Sequence, residues 1–210
     1  MLYIVLLIGL IGAILMFAGD MVLYYNKADY VGATTLEPII AIMKKESRTR
    51  LYIGGILGPV AAFFYCVGYY HLVLMVEAEF QILGWICFFI NCFAIICGGA
   101  YHSHFAYLGL IGHHNSKEAL DEVAKYIDVQ KKVAFGMQAV GFLMMAVLIV
   151  LKWTVFPCWM FLVTPGLLFL LVPLMRKLPK GLHMVICGGW TNWISVIYYV
   201  VAMVVVWAGY

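Results

Sequence analysis

The sequence predicts an all-α, polytopic membrane protein: a single domain, residues 1–210, built as a bundle of six transmembrane helices. Both termini lie outside, and short amphipathic helices lie on the cytoplasmic side. Three observations carry that prediction. Of the 210 residues 66% are hydrophobic and 11% charged, with a mean hydropathy of +1.01, whereas a soluble domain is about 45–50% apolar and about 25% charged. Such a chain cannot hide its apolar surface in a water-soluble core, and a secreted disulfide scaffold, a nucleic-acid binder and a disordered tail are excluded with it. Six stretches are long enough to cross about 30 Å of hydrocarbon with about 20 residues each. Finally, twelve of the thirteen Lys and Arg residues fall on one side of those stretches.

The spans run over roughly 2–25, 51–75, 81–111, 133–151, 154–175 and 182–208. The first lacks a basic leader and a small-residue cleavage pattern, so it reads as a retained helix rather than a signal peptide. Between spans 1 and 2 lie Lys27, Lys44, Lys45, Arg48 and Arg50, and between spans 3 and 4 lie Lys117, Lys125, Lys131 and Lys132. Arg176, Lys177 and Lys180 follow span 5, and only Lys152 falls on the other side, where Glu77 and Glu79 carry no basic neighbours. Basic short loops stay in the cytoplasm, which places both termini outside, in a cytoplasmic membrane.

Two cytoplasmic segments have helical patterning. Thr34 and Glu37 stand at capping-box spacing, followed by an apolar stripe of Leu36, Ile39, Ile40 and Met43. A membrane-surface helix and a connector packed beneath the bundle both fit that stripe. Asn115 is placed to cap a second helix, with Leu120, Val123, Ala124 and Ile127 as its apolar face. No Pro or Gly interrupts 116–135, so that helix can run straight into span 4.

Cys66, Cys87, Cys92, Cys97, Cys158 and Cys187 all fall within spans without a CxxC pair, and free thiols there act as small hydrophobes. Gly54 and Gly58 stand at GxxxG spacing, fit for packing inside the bundle or for a homo-oligomer. Ile96-Cys97-Gly98-Gly99 echoes Ile186-Cys187-Gly188-Gly189. Counted by depth, both lie in the inner half of the membrane, which argues against an inverted repeat and for a close crossing of spans 3 and 6 at that level.

Ionisable groups inside a span mark a functional site. Asp20, Tyr101, His102, His104, Gln138, Thr191 and Asn192 gather in the cytoplasmic half, with Trp190 near enough in depth to wall a pocket along with Tyr65 and Trp193. His102 and His104 point about 200° apart on a regular helix, so only one of them faces the bundle, where Asp20 is its natural partner. No metal-ligand set is assigned, and the motifs name no cofactor: no HExxH, GxSxG or phosphate-cradling loop is present. Three roles fit this set. One is a binding or transport site for a small amphiphile or ion; another is a membrane-embedded enzyme with His102 or His104 as general base and Asp20 orienting it, with or without a metal; the third is a structural or partner-binding subunit.

Four short runs, Gly19-Asp20-Met21-Val22-Leu23-Tyr24-Tyr25, Leu57-Gly58-Pro59, Gly98-Gly99-Ala100-Tyr101-His102 and Gly188-Gly189-Trp190-Thr191-Asn192, resemble a family of bacterial six-helix integral membrane proteins of unknown function. The resemblance covers most of the chain. It implies an origin and a fold but no activity and no functional residues.

Overall fold

A computed structural model describes residues 1–25, 36–175, 177–186 and 188–209. Thr34, Lys27, Arg176 and Cys187, named above, lie outside them. The described residues are helical, and their only extended pairing is an antiparallel bridge between Val76 and Thr154. The helices are α1 (Leu2–Tyr24), α2 (Glu37–Met43), α3 (Arg48–Tyr69), α4 (His71–Leu74), α5 (Gln81–Gly112), α6 (Lys117–Val150), α7 (Pro165–Phe169), α8 (Val172–Met175), α9 (Lys180–Ile186) and α10 (Trp190–Trp207). Among the described residues five helical stretches are long and apolar enough to cross a membrane: Leu2–Tyr24, Arg48–Leu74, Ala78–Gly112, Lys117–Val150 and Trp190–Trp207.

The expected continuous helix over 154–175 is not formed. That stretch is a 3-10 turn at Cys158–Val163 followed by α7 and α8. Pro157, Pro165 and Pro173 recur at every eighth position, and each removes a backbone donor that a regular helix needs. The broken segment packs against α6 and α10. Cys158 donates its thiol to the Val150 carbonyl, and Gly166 faces Phe142, so the chain descends antiparallel to α6. The expected span at 182–208 is likewise divided into α9 and α10.

Helix α3 lies between α1 and α5, and α10 packs on the other side of α1. Glycines make the crossings close. A Cβ on Gly68 would sit 2.3 Å from the Gly9 Cα, and one on Gly58 would sit 2.7 Å from the Gly99 carbonyl. The Gly-Gly pairs therefore do not mark a crossing of spans 3 and 6: Gly99 meets α3 through Gly58 and Ala62, while Gly189 meets Phe17 of α1. Gly54 and Gly58 are used within the bundle, against Leu23 and Gly99 respectively.

Arg50 fixes the C-terminal end of α1 and the N-terminal end of α3 together. Its guanidinium donates to the Tyr25 carbonyl at 2.6 Å and to the Val22 carbonyl, and it pairs with Glu46. A cation at a helix C-terminus satisfies otherwise unpaired carbonyls and complements the dipole. Helix α2 docks on α5 with Met43 fully buried, the connector arrangement of the two its stripe allowed. Helix α6 runs unbroken from Lys117 into the span, as the absence of breakers predicts. Asn115 does not cap it; it takes φ 53° in the turn from α5, and Ser116 is the N-cap residue. At the opposite end, the Trp153 carbonyl accepts from Glu77 N–H at 3.0 Å, Val155 N–H donates to Met75 O at 2.8 Å, and Phe80 stacks on Trp153.

Candidate functional site

The site begins with a proline. Pro59 sits inside α3 and cannot donate to the Gly55 carbonyl four residues earlier. Ser103 of α5 supplies the missing donor, its hydroxyl bonding Gly55 O. One residue back on each helix, His102 Nε2 donates to the Gly54 carbonyl at 3.0 Å. Close approach at Gly54, Gly55 and Gly58 makes both contacts possible, since a Cβ on Gly58 would strike the His102 ring.

That bond fixes the remaining chemistry. A carbonyl only accepts, so Nε2 carries a proton and Nδ1 is left for Asp20, whose Oδ1 is 3.2 Å away. The contact requires one proton between Nδ1 and Oδ1, whether carried by the imidazole or by the carboxyl. In either form the pair is neutral overall, which is how two ionisable groups are tolerated at 6% and 3% exposure. Asn192 Nδ2 donates to Asp20 Oδ2 at 2.6 Å, and the Tyr65 hydroxyl donates to Asn192 Oδ1 at 3.2 Å. The Tyr24 hydroxyl lies 3.4 Å from His102 Nδ1. Five side chains from α1, α3, α5 and α10 thus form one network.

The network opens onto a cavity of about 290 Å³. Asp20, Tyr101, His102, Gln138, Thr191 and Asn192 line it, joined by apolar residues including Met16, Ile39, Phe105 and Phe135. These six are among the residues the sequence singles out. Two others are placed elsewhere. His104 turns to α6, where Nδ1 bonds Gln130 Oε1 and the ring lies between Tyr107 and Tyr126, as the two-residue offset from His102 dictates. Trp190 is buried away from the cavity lining, its indole N–H donating to the Leu168 carbonyl at 3.3 Å. Trp193 does the same for Val185 O at 3.3 Å. Both indoles donate to carbonyls near the ends of short helices, Leu168 in α7 and Val185 in α9. Nor does Tyr65 wall the cavity; it supports Asn192 from within the core.

A second cavity, of about 540 Å³, adjoins the first and shares Phe135, Gln138 and Thr191 with it. It lies between α6, α7 and α10 and is lined mostly by apolar side chains, with Lys131 at one end. The three prolines of 154–175 are the sequence signal for this groove, since a regular helix would have packed against α6 along its length.

Sequence reasoning also passed over polar groups at the far end. His71 is 1% exposed, with Nδ1 2.7 Å from Gly68 O and Nε2 2.9 Å from the Tyr198 hydroxyl. Asn91 donates to Cys87 O at 2.8 Å while its Oδ1 has no partner. Tyrosines counted as hydrophobic hide such a cluster. Among the described residues no group of three or more His, Cys, Asp or Glu side chains is placed to hold a metal ion, and the five described cysteines are free thiols.

All-helical architecture among the described residues and several helices long and apolar enough to cross a bilayer fit a helical membrane protein. Within that class the chain belongs to a family of unknown function (DUF6796), whose match covers residues 2–209. No curated protein and no solved structure matches it.

Proposed function

We propose that this protein binds, and carries through its membrane, a small amphiphile that enters the polar cavity from the cytoplasmic side. The observation that carries the reading is the neutral Asp20–His102–Asn192 cluster facing a cavity of about 290 Å³. Convergent polar groups in a mostly apolar pocket are the usual form of a small-molecule site, and burying ionisable groups within a span is costly without a role. The rival reading, an enzyme with His102 as general base, needs a ring nitrogen free to take a substrate proton. Both nitrogens are already engaged, by Gly54 O and Asp20, which favours binding.

Six crossings complete this reading, with the broken 158–175 segment as the fifth and both termini on the outer face of a bacterial cytoplasmic membrane. Support comes from the antiparallel descent of that segment along α6 and from the shared groove of Tyr3 and Trp207 at one end of the bundle. The test is native mass spectrometry of protein released from nanodiscs cut directly out of the membrane. Wild type is expected to retain a defined small amphiphile that His102→Ala loses and His71→Ala keeps. Equal retention in all three, or none in any, defeats the reading.

A further inference from the structure

We infer that the ligand is a single-chain amphiphile with an anionic carboxylate head, that is a long-chain carboxylic acid, and that it enters sideways from the inner leaflet through the groove between α6, α7 and α10. This rests on the binding role proposed for the polar cavity and names its ligand and its route.

The groove is shaped for one chain. It follows α6 from Lys131 to Ala146, about 22 Å at 1.5 Å per residue, while one leaflet's share of the hydrocarbon is about 15 Å. Its volume of about 540 Å³ is bounded by Phe142, Leu143, Gly166 and Leu167, with no polar side chain beyond Lys131, Gln138 and Thr191. Leu143 and Leu170 on its rim are 66% and 71% exposed, so the groove opens toward the lipid side of the bundle. Gly166 keeps it open: a Cβ there would press on Phe142 at 3.1 Å.

Charge selects the head group. Lys132 is taken up by Asp128 at 2.7 Å, whereas Lys131 lines the groove. Above it, the Gln138 amide and the Thr191 hydroxyl stand at the window into the polar cavity as further donors. One ammonium and two neutral donors suit a monoanionic carboxylate. A phosphate head, carrying more charge, calls for several cations or a guanidinium fork, and among the described residues Lys131 is the one cation lining the groove. With the head at that window, the chain runs away along α6 toward Ala146, about 12 Å at 1.5 Å per residue.

The experiment uses the full chain in nanodiscs with a long-chain carboxylic acid carrying a mid-chain diazirine, photolysed and mapped by mass spectrometry. Label is expected on Leu143, Ala146, Leu167 and Leu170. An unlabelled long-chain carboxylic acid should compete, while the corresponding alcohol and lysophosphatidylcholine should not. Lys131→Gln should weaken labelling about tenfold, as loss of one charge-assisted hydrogen bond does. Ala146→Trp, which fills the groove at its far end, should abolish it, with an unchanged unfolding temperature showing that the variant folds. Label competed equally by all three amphiphiles means annular lipid only, and overturns the inference. So does label confined to Tyr101 and Phe105 in the polar cavity, which leaves the proposed binding role standing with a route from the cytoplasm. No label in a protein that retains its own amphiphile by native mass spectrometry overturns the ligand assignment alone.

Discussion

Replacing Asp20 is the most direct probe of the network. Asp20→Ala removes the partner of two buried polar groups at once, the Asn192 amide at 2.6 Å and the His102 Nδ1 edge at 3.2 Å. Each unsatisfied buried group costs about 1–3 kcal/mol, and removing one member of a buried pair costs about 3–5 kcal/mol. Membrane reference states soften such losses, with interhelical hydrogen bonds averaging about 0.6 kcal/mol, so about 2–4 kcal/mol is expected. Asp20→Asn behaves differently. Its carboxamide oxygen accepts from Asn192 and its NH₂ donates to Nδ1 of the neutral Nε2–H imidazole, restoring both contacts, so the loss should be about 1 kcal/mol or less. Unfolding free energies in mixed micelles measure both variants under one condition. In a His102→Ala background the Asp20→Ala loss should shrink, since one of the two groups it leaves unpaired is gone. Asp20→Ala within about 0.5 kcal/mol of wild type, or Asp20→Asn as harmful as Ala, would refute the shared-proton geometry.

Ser103→Ala should lower stability by about 1–2 kcal/mol by orphaning the Gly55 carbonyl, and Pro59→Ala should recover part of it by returning a backbone donor; thermal melts showing strict additivity would defeat that coupling. Gly68→Ala, whose Cβ would collide with Gly9, should impair assembly in gel filtration, while Gly136→Ala, with nothing within 4 Å, should raise stability by up to about 1 kcal/mol; equal behaviour of the two contradicts the α1–α3 crossing. A membrane-impermeant maleimide applied to intact cells should modify a cysteine placed at Glu79 and spare one placed at Arg48, and the reverse pattern would overturn the outward termini.

Helix existence was legible because bilayer thickness demands long apolar runs, and α1, α3, α5 and α6 follow them closely. Helix continuity was not. A hydropathy window averages over Pro157, Pro165 and Pro173 and reports a span where three missing donors break one. Which residues share a level was readable from the ends of the apolar runs, and Asp20, His102 and Asn192 do meet. Which neighbour each helix meets was not readable, because many small-residue faces are interchangeable until the whole bundle is packed. Thus Gly99 was matched to the wrong partner, and Gly9 was passed over as unremarkable although α3 and Tyr199 both press on it. Arg50 was counted only as a loop charge, yet its guanidinium closes the end of α1. Tryptophans at a plausible depth read as pocket walls, when their indoles donate to backbone carbonyls near the ends of short helices.

The helix breaks and the polar cavity have a common cause. Pro59 opens the backbone of α3 where α5 can reach it, which orients His102 by its neighbour's need for a donor. The interruption before Trp190 starts α10 within the bundle, which puts Asn192 in the first turn of that helix, its N–H donating to the Gly189 carbonyl at 3.0 Å. A carboxylate near a helix N-terminus is stabilised by the dipole, and Asp20, bonded to the third residue of α10, stands there. The Pro-broken segment after α6 then leaves the groove that meets this cavity at Gln138 and Thr191. Each break would be a defect in a bundle selected for stability alone. Together they concentrate polar side chains, a buried acid and an open apolar channel at one place, and that coincidence is what a ligand site within a bilayer requires.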